Sequence, residues 1–320
     1  MQQFIYFLTN PGNESFLKKE IMHKYPKIFN FSYSRPGICT YKNTGPKLSL
    51  EEISKLNPIY ARAWGESIGI FNRDEVQKTI SDYLDSTAST FQIQQISREP
   101  EIALKEDFCF DQSDIDAERF IIVVKVDESQ YFIGTQLEDK FESPPGRSFY
   151  DISITNAPSR AYHKIKEAFL LLNMGAKKLN CVEFGCAPGG STKYLLESGH
   201  KVCGVDPADM DVEILNHKNF EFIQKPIQGI TKRDLPENID VLISDVNLNP
   251  DVVLKQCHGI FKTSPPPLAL ITLKTPKPKY LDSLKIWKSY LESMGYKRVD
   301  FIQISSHRKE CLAIARLSLF

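Results

Sequence analysis

The stretch CVEFGCAPGGSTKYLLESG, residues 181–199, decides the fold. A short apolar run meets a turn built from Gly185, Cys186, Ala187, Pro188, Gly189 and Gly190, and an amphipathic run follows. Strand, glycine-rich turn and helix in that order open a doubly wound α/β domain. At such a turn the backbone approaches a ligand closely and amide groups point outward. Asp206 ends the next apolar run, about twenty residues on, where an acid can accept hydrogen bonds from both hydroxyls of a ribose.

Outward from this turn the same rhythm continues. KLNCVEF (178–184), HKVCGV (200–205), IDVLIS (239–244) and PLALITL (267–273) are apolar runs of the kind found in a parallel sheet covered on both faces. Amphipathic stretches at 192–198, 252–261 and 280–294 lie between or after them. VDFIQIS (299–305) and CLAIARL (311–317) read as a closing antiparallel pair. Residues 146–320 therefore read as a Rossmann-like doubly wound α/β domain. Residues 1–145 read as a smaller α+β domain. FIYFLT (4–9) is a strand, 13–24 and 74–84 are helices, and strand candidates lie within 33–41 and 59–71. FIIVVKV (120–126) and YFIGTQL (131–137) make a hairpin, and SPPGRS (143–148) marks the boundary.

Composition excludes several classes. Of 320 residues, 42% are apolar and 25% charged, as in ordinary globular proteins. Forty basic residues balance forty acidic ones. Residues 1–150 hold 17 basic and 22 acidic, a balance of −5, and the remainder holds 23 and 18, a balance of +5. A polyanion would be handled mainly by the second half. No apolar run approaches the ~18 residues of a membrane span, and the N-terminus lacks the basic region and cleavage site of a secretory signal. Seven scattered cysteines without CxxC and six histidines without HxxxH predict reduced thiols, no metal site and a cytoplasmic location.

The turn also selects among ligands. A dinucleotide fingerprint needs GxGxxG, but Ala187 occupies the second glycine position, and a phosphate-binding GK[ST] is absent. The loop suits a ligand without a diphosphate. S-adenosylmethionine has an adenosine for Asp206 and a charged amino-acid tail for the loop. The competing reading is a glycine-rich turn that holds no ligand.

Four more residues stand where a structural role explains them poorly. Lys164 lies in APSRAYHKIKEAF, a helix start with Ser159 near its N-cap. Asp245 follows IDVLIS and Lys274 follows PLALITL, at the carboxyl ends of buried strands, where open α/β sheets bind ligands. Glu310 begins the last strand. Singly they read as a solvated face, a helix cap, a snorkelling lysine and an edge-strand charge. Beside a ligand turn, they read together as a site.

PSRAYHKIKE, EFGCAPGGST, CGVDP, LISD, ITLK and HRKE occur in an order and spacing that resembles the FtsJ-related ribose 2′-O-methyltransferases. The resemblance covers about residues 155–318 and is weak over 1–145. It is greatest toward the bacterial group, RlmM, that methylates a cytidine ribose of large-subunit rRNA. It implies S-adenosylmethionine as cofactor, RNA as substrate and Lys164, Asp245, Lys274 and Glu310 as catalytic set. Ser159, residues 185–190, Asp206 and Asp245 would then hold the cofactor. It also implies an RNA-binding, THUMP-like first domain. Lys274 is the expected base, with a pKa lowered by burial, by Lys164 and by the sulfonium.

Two positions depart from the family pattern. Ser191 replaces an aromatic residue after the paired glycines, and Pro226 replaces the acid that holds the adenine amino group. With Pro226 there, adenine recognition must come from backbone or elsewhere, and a lower cofactor affinity is expected. The two departures leave room for a rival reading, an RNA-binding or ribosome-assembly module that has lost catalysis. Amino-group and cytosine-carbon methylation fit less well. SDVNLNP lacks the paired prolines of the first, and Cys257 lies in a helix, a poor place for the nucleophile of the second.

Overall fold

In the computed structural model the chain forms two compact units, divided between Ser153 and Ile154. The structure describes residues 2–96, 108–110, 113–114, 116–137, 156–175 and 177–318. The expected boundary at 145/146 and its loop signal lie outside the described residues.

The first unit runs β1 (Phe4–Leu8), α1 (Glu14–Lys24), β2 (Phe29–Arg35), β3 (Ile38–Asn43), α2 (Leu50–Ser54) and β4 (Ala63–Asn72). It continues with α3 (Val76–Asp85), β5 (Gln92–Ile96), β6 (Arg119–Lys125) and β7 (Gln130–Leu137). The strands form one sheet, ordered β2-β3-β1-β4-β7-β6-β5. Neighbours are antiparallel except for the parallel pair β5 and β6. The expected β6–β7 hairpin is present. Strand is present within 33–41, as the end of β2 and the start of β3. Pro36 and Gly37 turn the chain there, and that turn chemistry outweighs the flanking apolar residues.

The second unit runs α4 (Ala161–Leu171), β8 (Asn180–Phe184), α5 (Gly190–Glu197), β9 (Lys201–Val205), α6 (Val212–Leu215) and β10 (Phe220–Ile223). It ends with β11 (Val241–Ser244), α7 (Pro250–Phe261), β12 (Leu268–Lys274), α8 (Leu284–Ser293), β13 (Arg298–Ile302) and β14 (Glu310–Arg316). The sheet order is β10-β9-β8-β11-β12-β14-β13. The strands from β10 to β12 are parallel, and β14 runs antiparallel to both of its neighbours. This is the expected Rossmann-like fold. The order reverses between β8 and β11, where a doubly wound sheet opens a crevice at its carboxyl edge.

Strand alternation decides which residues face that crevice. Cys181, Ile243, Leu270 and Leu312 pack with Ile165 and Ala168 of α4 and Leu195 of α5. Glu183, Asp245, Lys274 and Glu310 stand an even number of residues from these in their own strands, so they share the α4 side. Among the described residues, no helix is long and apolar enough to cross a membrane. No group of three or more His, Cys, Asp or Glu residues there has the arrangement to hold a metal.

Helices α4 and α5 meet closely at Gly190. A Cβ placed there would stand 2.2 Å from Ser159 Oγ and 2.7 Å from the Ser159 carbonyl oxygen. Gly190→Ala must therefore push the start of α4 away. Overpacking of this kind costs about 1–3 kcal/mol. Thermal melting should show a midpoint lower by several degrees. An unchanged midpoint would mean that the start of α4 yields freely.

Candidate active site

The fold carries the four polar residues singled out in the sequence to one place. Lys164 stands on α4, Asp245 just past β11, Lys274 at the end of β12, and Glu310 at the start of β14. The antiparallel register sets Lys274 and Glu310 directly opposite each other. Four ion pairs then close a ring. Lys164 Nζ lies 2.9 Å from Asp245 Oδ2 and 2.6 Å from Glu310 Oε1. Lys274 Nζ lies 2.6 Å from Asp245 Oδ1 and 2.7 Å from Glu310 Oε2. Each carboxylate thus turns one oxygen to each ammonium. The side chains are only 10–23% exposed, so each charge loses much of its water and depends on its two partners.

This geometry runs against the expected lowering of the Lys274 pKa. Burial works to lower its pKa, but Asp245 and Glu310 outweigh burial and raise it above the ordinary value. The resting group is an ammonium. The sequence shows the like charge of Lys164 but not that two carboxylates would bridge both cations. Glu310 responds in the opposite sense. Burial works to raise its carboxyl, yet His307, Lys164 and Lys274 outweigh burial and hold it down to about 2. His307 is itself 2% exposed, and burial lowers its pKa to about 4. It lines a small cavity with Lys164, Asp245 and Ser191.

The glycine-rich turn abuts this ring. A Cβ at Gly185 would meet Val246 N at 2.9 Å, so the turn passes close against the chain just after Asp245. The Asp206 carboxylate is held by two backbone amides, Ala187 N at 3.1 Å and Ala208 N at 2.8 Å. Pro188 offers its carbonyl to Asp211 N at 3.1 Å. Gly189 precedes α5, whose first residue, Gly190, lies against Ser159. Cys186 is 2% exposed and sits among core residues, so a ligand meets its backbone rather than its thiol. An oriented carboxylate, closely approaching backbone and a helix start fit S-adenosylmethionine, the cofactor read from the sequence.

The two departures acquire local explanations. Ser191 and Thr192 donate their hydroxyls to the Glu183 carboxylate, Thr192 at 2.7 Å. Pro226 opens a short 3-10 turn over Ile227–Gly229, and nearby Gln224 Nε2 donates to Asp209 Oδ1 at 3.0 Å. Glu183, Glu167 and His307 escaped the sequence reading. An acid inside CVEF, with hydroxyls eight and nine residues later, was the signal for Glu183.

Residues 157–272 match the family described as FtsJ-like methyltransferase. The matched segment is about a third of the chain and lies within the second unit. S-adenosylmethionine is the cofactor that accords with this match and with the turn. An uncharacterised protein of Methanocaldococcus jannaschii is 28% identical over 95 residues, 29% of this chain and 26% of that protein. The chain thus matches about a quarter of that relative's length. A Plasmodium falciparum protein described as a ribosomal RNA methyltransferase is 19% identical, with a TM-score of 0.38. The match covers 50% of this chain and 97% of that one. Aeropyrum pernix fibrillarin, solved with bound S-adenosylmethionine, is 15% identical over 60% of this chain and 81% of that one, with a TM-score of 0.36. The assignment rests on the matched segment, not on these structural likenesses.

Glu183 is fully buried, and burial pushes its carboxyl up to about 7, against the two hydroxyls that lower it. The folded state holds this proton more tightly than the unfolded chain, whose carboxyl titrates near ~4.3. The resulting stability is complete below that value and is lost as pH rises through about 7. His307 acts in the other direction, because its folded pKa is lowered. Comparing wild type with Glu183→Gln at each pH cancels the His307 contribution. That difference should shift against wild type by about 3 kcal/mol between about pH 4 and 8, measured by urea denaturation. A flat difference would refute the protonated Glu183.

Proposed function

We propose that this chain is an S-adenosylmethionine-dependent RNA methyltransferase that acts on a ribose 2′-hydroxyl. The observation that carries the reading is the closed ring of Lys164, Asp245, Lys274 and Glu310 at the carboxyl ends of β11 and β12, beside the glycine-rich turn. The turn and Asp206 would hold the cofactor. When bound, S-adenosylmethionine supplies an electrophilic methyl group on a sulfonium. A ribose hydroxyl is a poor nucleophile and must lose its proton as it attacks. Lys274 is the proposed acceptor, and Lys164 and Glu310 orient the hydroxyl.

The ring dictates a condition. Lys274 must first shed the proton that Asp245 and Glu310 help it keep. Lys164 competes for the same two carboxylates, so the ring has a partner ready when Lys274 becomes neutral. Most of the rate would come from alignment.

The finer target is a cytidine of large-subunit rRNA, a reading supported by the likeness of APSRAYHKIKEAF and LKTPKPKY to the RlmM group. The first unit would supply RNA recognition, as a THUMP-like domain. Seven basic residues against two acidic ones in 1–50 support a local basic face there, despite the negative balance of 1–150.

The test is to incubate the protein with unmethylated rRNA and cofactor and to analyse the nucleosides by mass spectrometry. Wild type should form 2′-O-methylcytidine. Lys274→Ala should form none while binding cofactor normally, and Lys274→Arg should be nearly as poor, because guanidinium keeps its proton. Single-turnover rates should rise with pH across the neutral range. Asp206→Ala should bind cofactor about 10–100-fold more weakly, the scale of lost charged hydrogen bonds. A base-methylated product would refute the ribose assignment. Cofactor binding without any transfer would favour the non-catalytic RNA-binding module. An active Lys274→Arg variant would reduce Lys274 to a positioning charge.

A further inference from the structure

Glu167 lies on α4 one turn after Lys164, so both side chains leave the same side of the helix. It is 2% exposed. Its carboxylate accepts four hydrogen bonds from the segment between β13 and β14. Ser305 donates from N at 2.6 Å and from Oγ at 2.5 Å. Ser306 donates from N at 3.2 Å and from Oγ at 3.1 Å. The next residues along that segment are His307 and, three further on, Glu310. Its far end is pinned as well. Thr275 N donates to the Lys309 carbonyl at 2.9 Å, and Gln303 Nε2 to the Arg308 carbonyl at 3.1 Å.

We propose that Glu167 is a positioning residue of the methyl-transfer site: by clasping Ser305 and Ser306 it sets Glu310 against Lys164 and Lys274. Helix α4 thereby carries one cation of the ring and also the clasp that delivers its counter-carboxylate. With the clasp open, the β12–β14 register still holds Glu310 opposite Lys274, but α4 loses its tie to the segment that leads into Glu310, and the Lys164–Glu310 contact loosens. Glu310 then balances less of the Lys164 charge, and the site gains positive charge where the hydroxyl proton must leave. The inference rests on the reading of the ring as a methyl-transfer site.

Two variants of the full chain test it. Glu167→Gln keeps one acceptor oxygen and loses the charge. The double variant Ser305→Ala and Ser306→Ala keeps the carboxylate and the backbone donors, and it decides the matter if the first fails to fold. The readouts are the single-turnover rate, cofactor affinity, and the titration of the Glu310 carboxyl followed by carbon-13 NMR. In both variants the Glu310 pKa should move up from about 2 towards the ordinary ~4.3. The rate should fall by up to about 10²-fold, the scale of a misplacement near 1 Å, with cofactor affinity unchanged. A folded variant whose Glu310 titrates as in wild type, or whose rate is unchanged, overturns the clasp. If wild type transfers no methyl group to RNA, the functional reading fails, and the Glu310 titration still decides the clasp by itself.

Discussion

Two ammonium groups and two carboxylates share a largely water-excluded site here, and every charge touches two of opposite sign. Removing one member leaves an uncompensated charge, a loss of about 3–5 kcal/mol for a buried pair. That constraint organises the second unit. Its members come from a helix, the end of one strand, the end of a second and the start of a third. The ring closes only if α4 is seated correctly on the sheet, β14 is in register with β12, and the turn after β8 leaves room beside Asp245. The apolar packing of α4 and α5 against Ile243, Leu270 and Leu312 is therefore also the framework of the site.

The same ring carries a chemical tension. A neutral lysine can take a proton and an ammonium cannot, yet the contacts that place Lys274 also stabilise its charged form. Alternation of charge makes this workable. Asp245 and Glu310 each face both lysines, so loss of charge at Lys274 leaves Lys164 to hold both carboxylates. A single Lys–Asp pair would have no such second partner. In the proposed reaction Lys164 would thus keep a contact to each carboxylate while Lys274 is neutral.

Much of this was legible in the sequence, for identifiable reasons. CVEFGCAPGGST gave strand, turn and helix, because each piece carries a local signal: apolar run, glycine pair, amphipathic spacing. Asp245 and Lys274 stood out because a charge immediately after a buried parallel strand must lie at its carboxyl end. What escaped depends on tertiary proximity. Lys274 and Asp245 are 29 residues apart, and Lys164 and Asp245 are 81 apart. Spacing alone shows neither bridging nor the resulting shift in pKa. Glu167 escaped for a different reason. In AYHKIKEAFLL it reads as one more polar position of an amphipathic helix, and only its contact with residues 138 and 139 positions away makes it buried.

Ser191 shows how a departure from a pattern acquires meaning from its neighbours. At a helix start that packs against another helix, a hydroxyl needs an acceptor, and Glu183 lies beneath it in β8. A buried carboxyl likewise needs donors, and Ser191 and Thr192 are the two hydroxyls within reach. Each side supplies what the other lacks, so the pair is to be understood together. An aromatic ring at 191 would bring apolar surface but no hydroxyl, leaving Thr192 as the remaining side-chain donor to a carboxyl with no exposure at all. Serine at this position is thus matched to glutamate at 183, eight residues earlier, and the match holds the first strand, the glycine-rich turn and the first turn of α5 together as one unit.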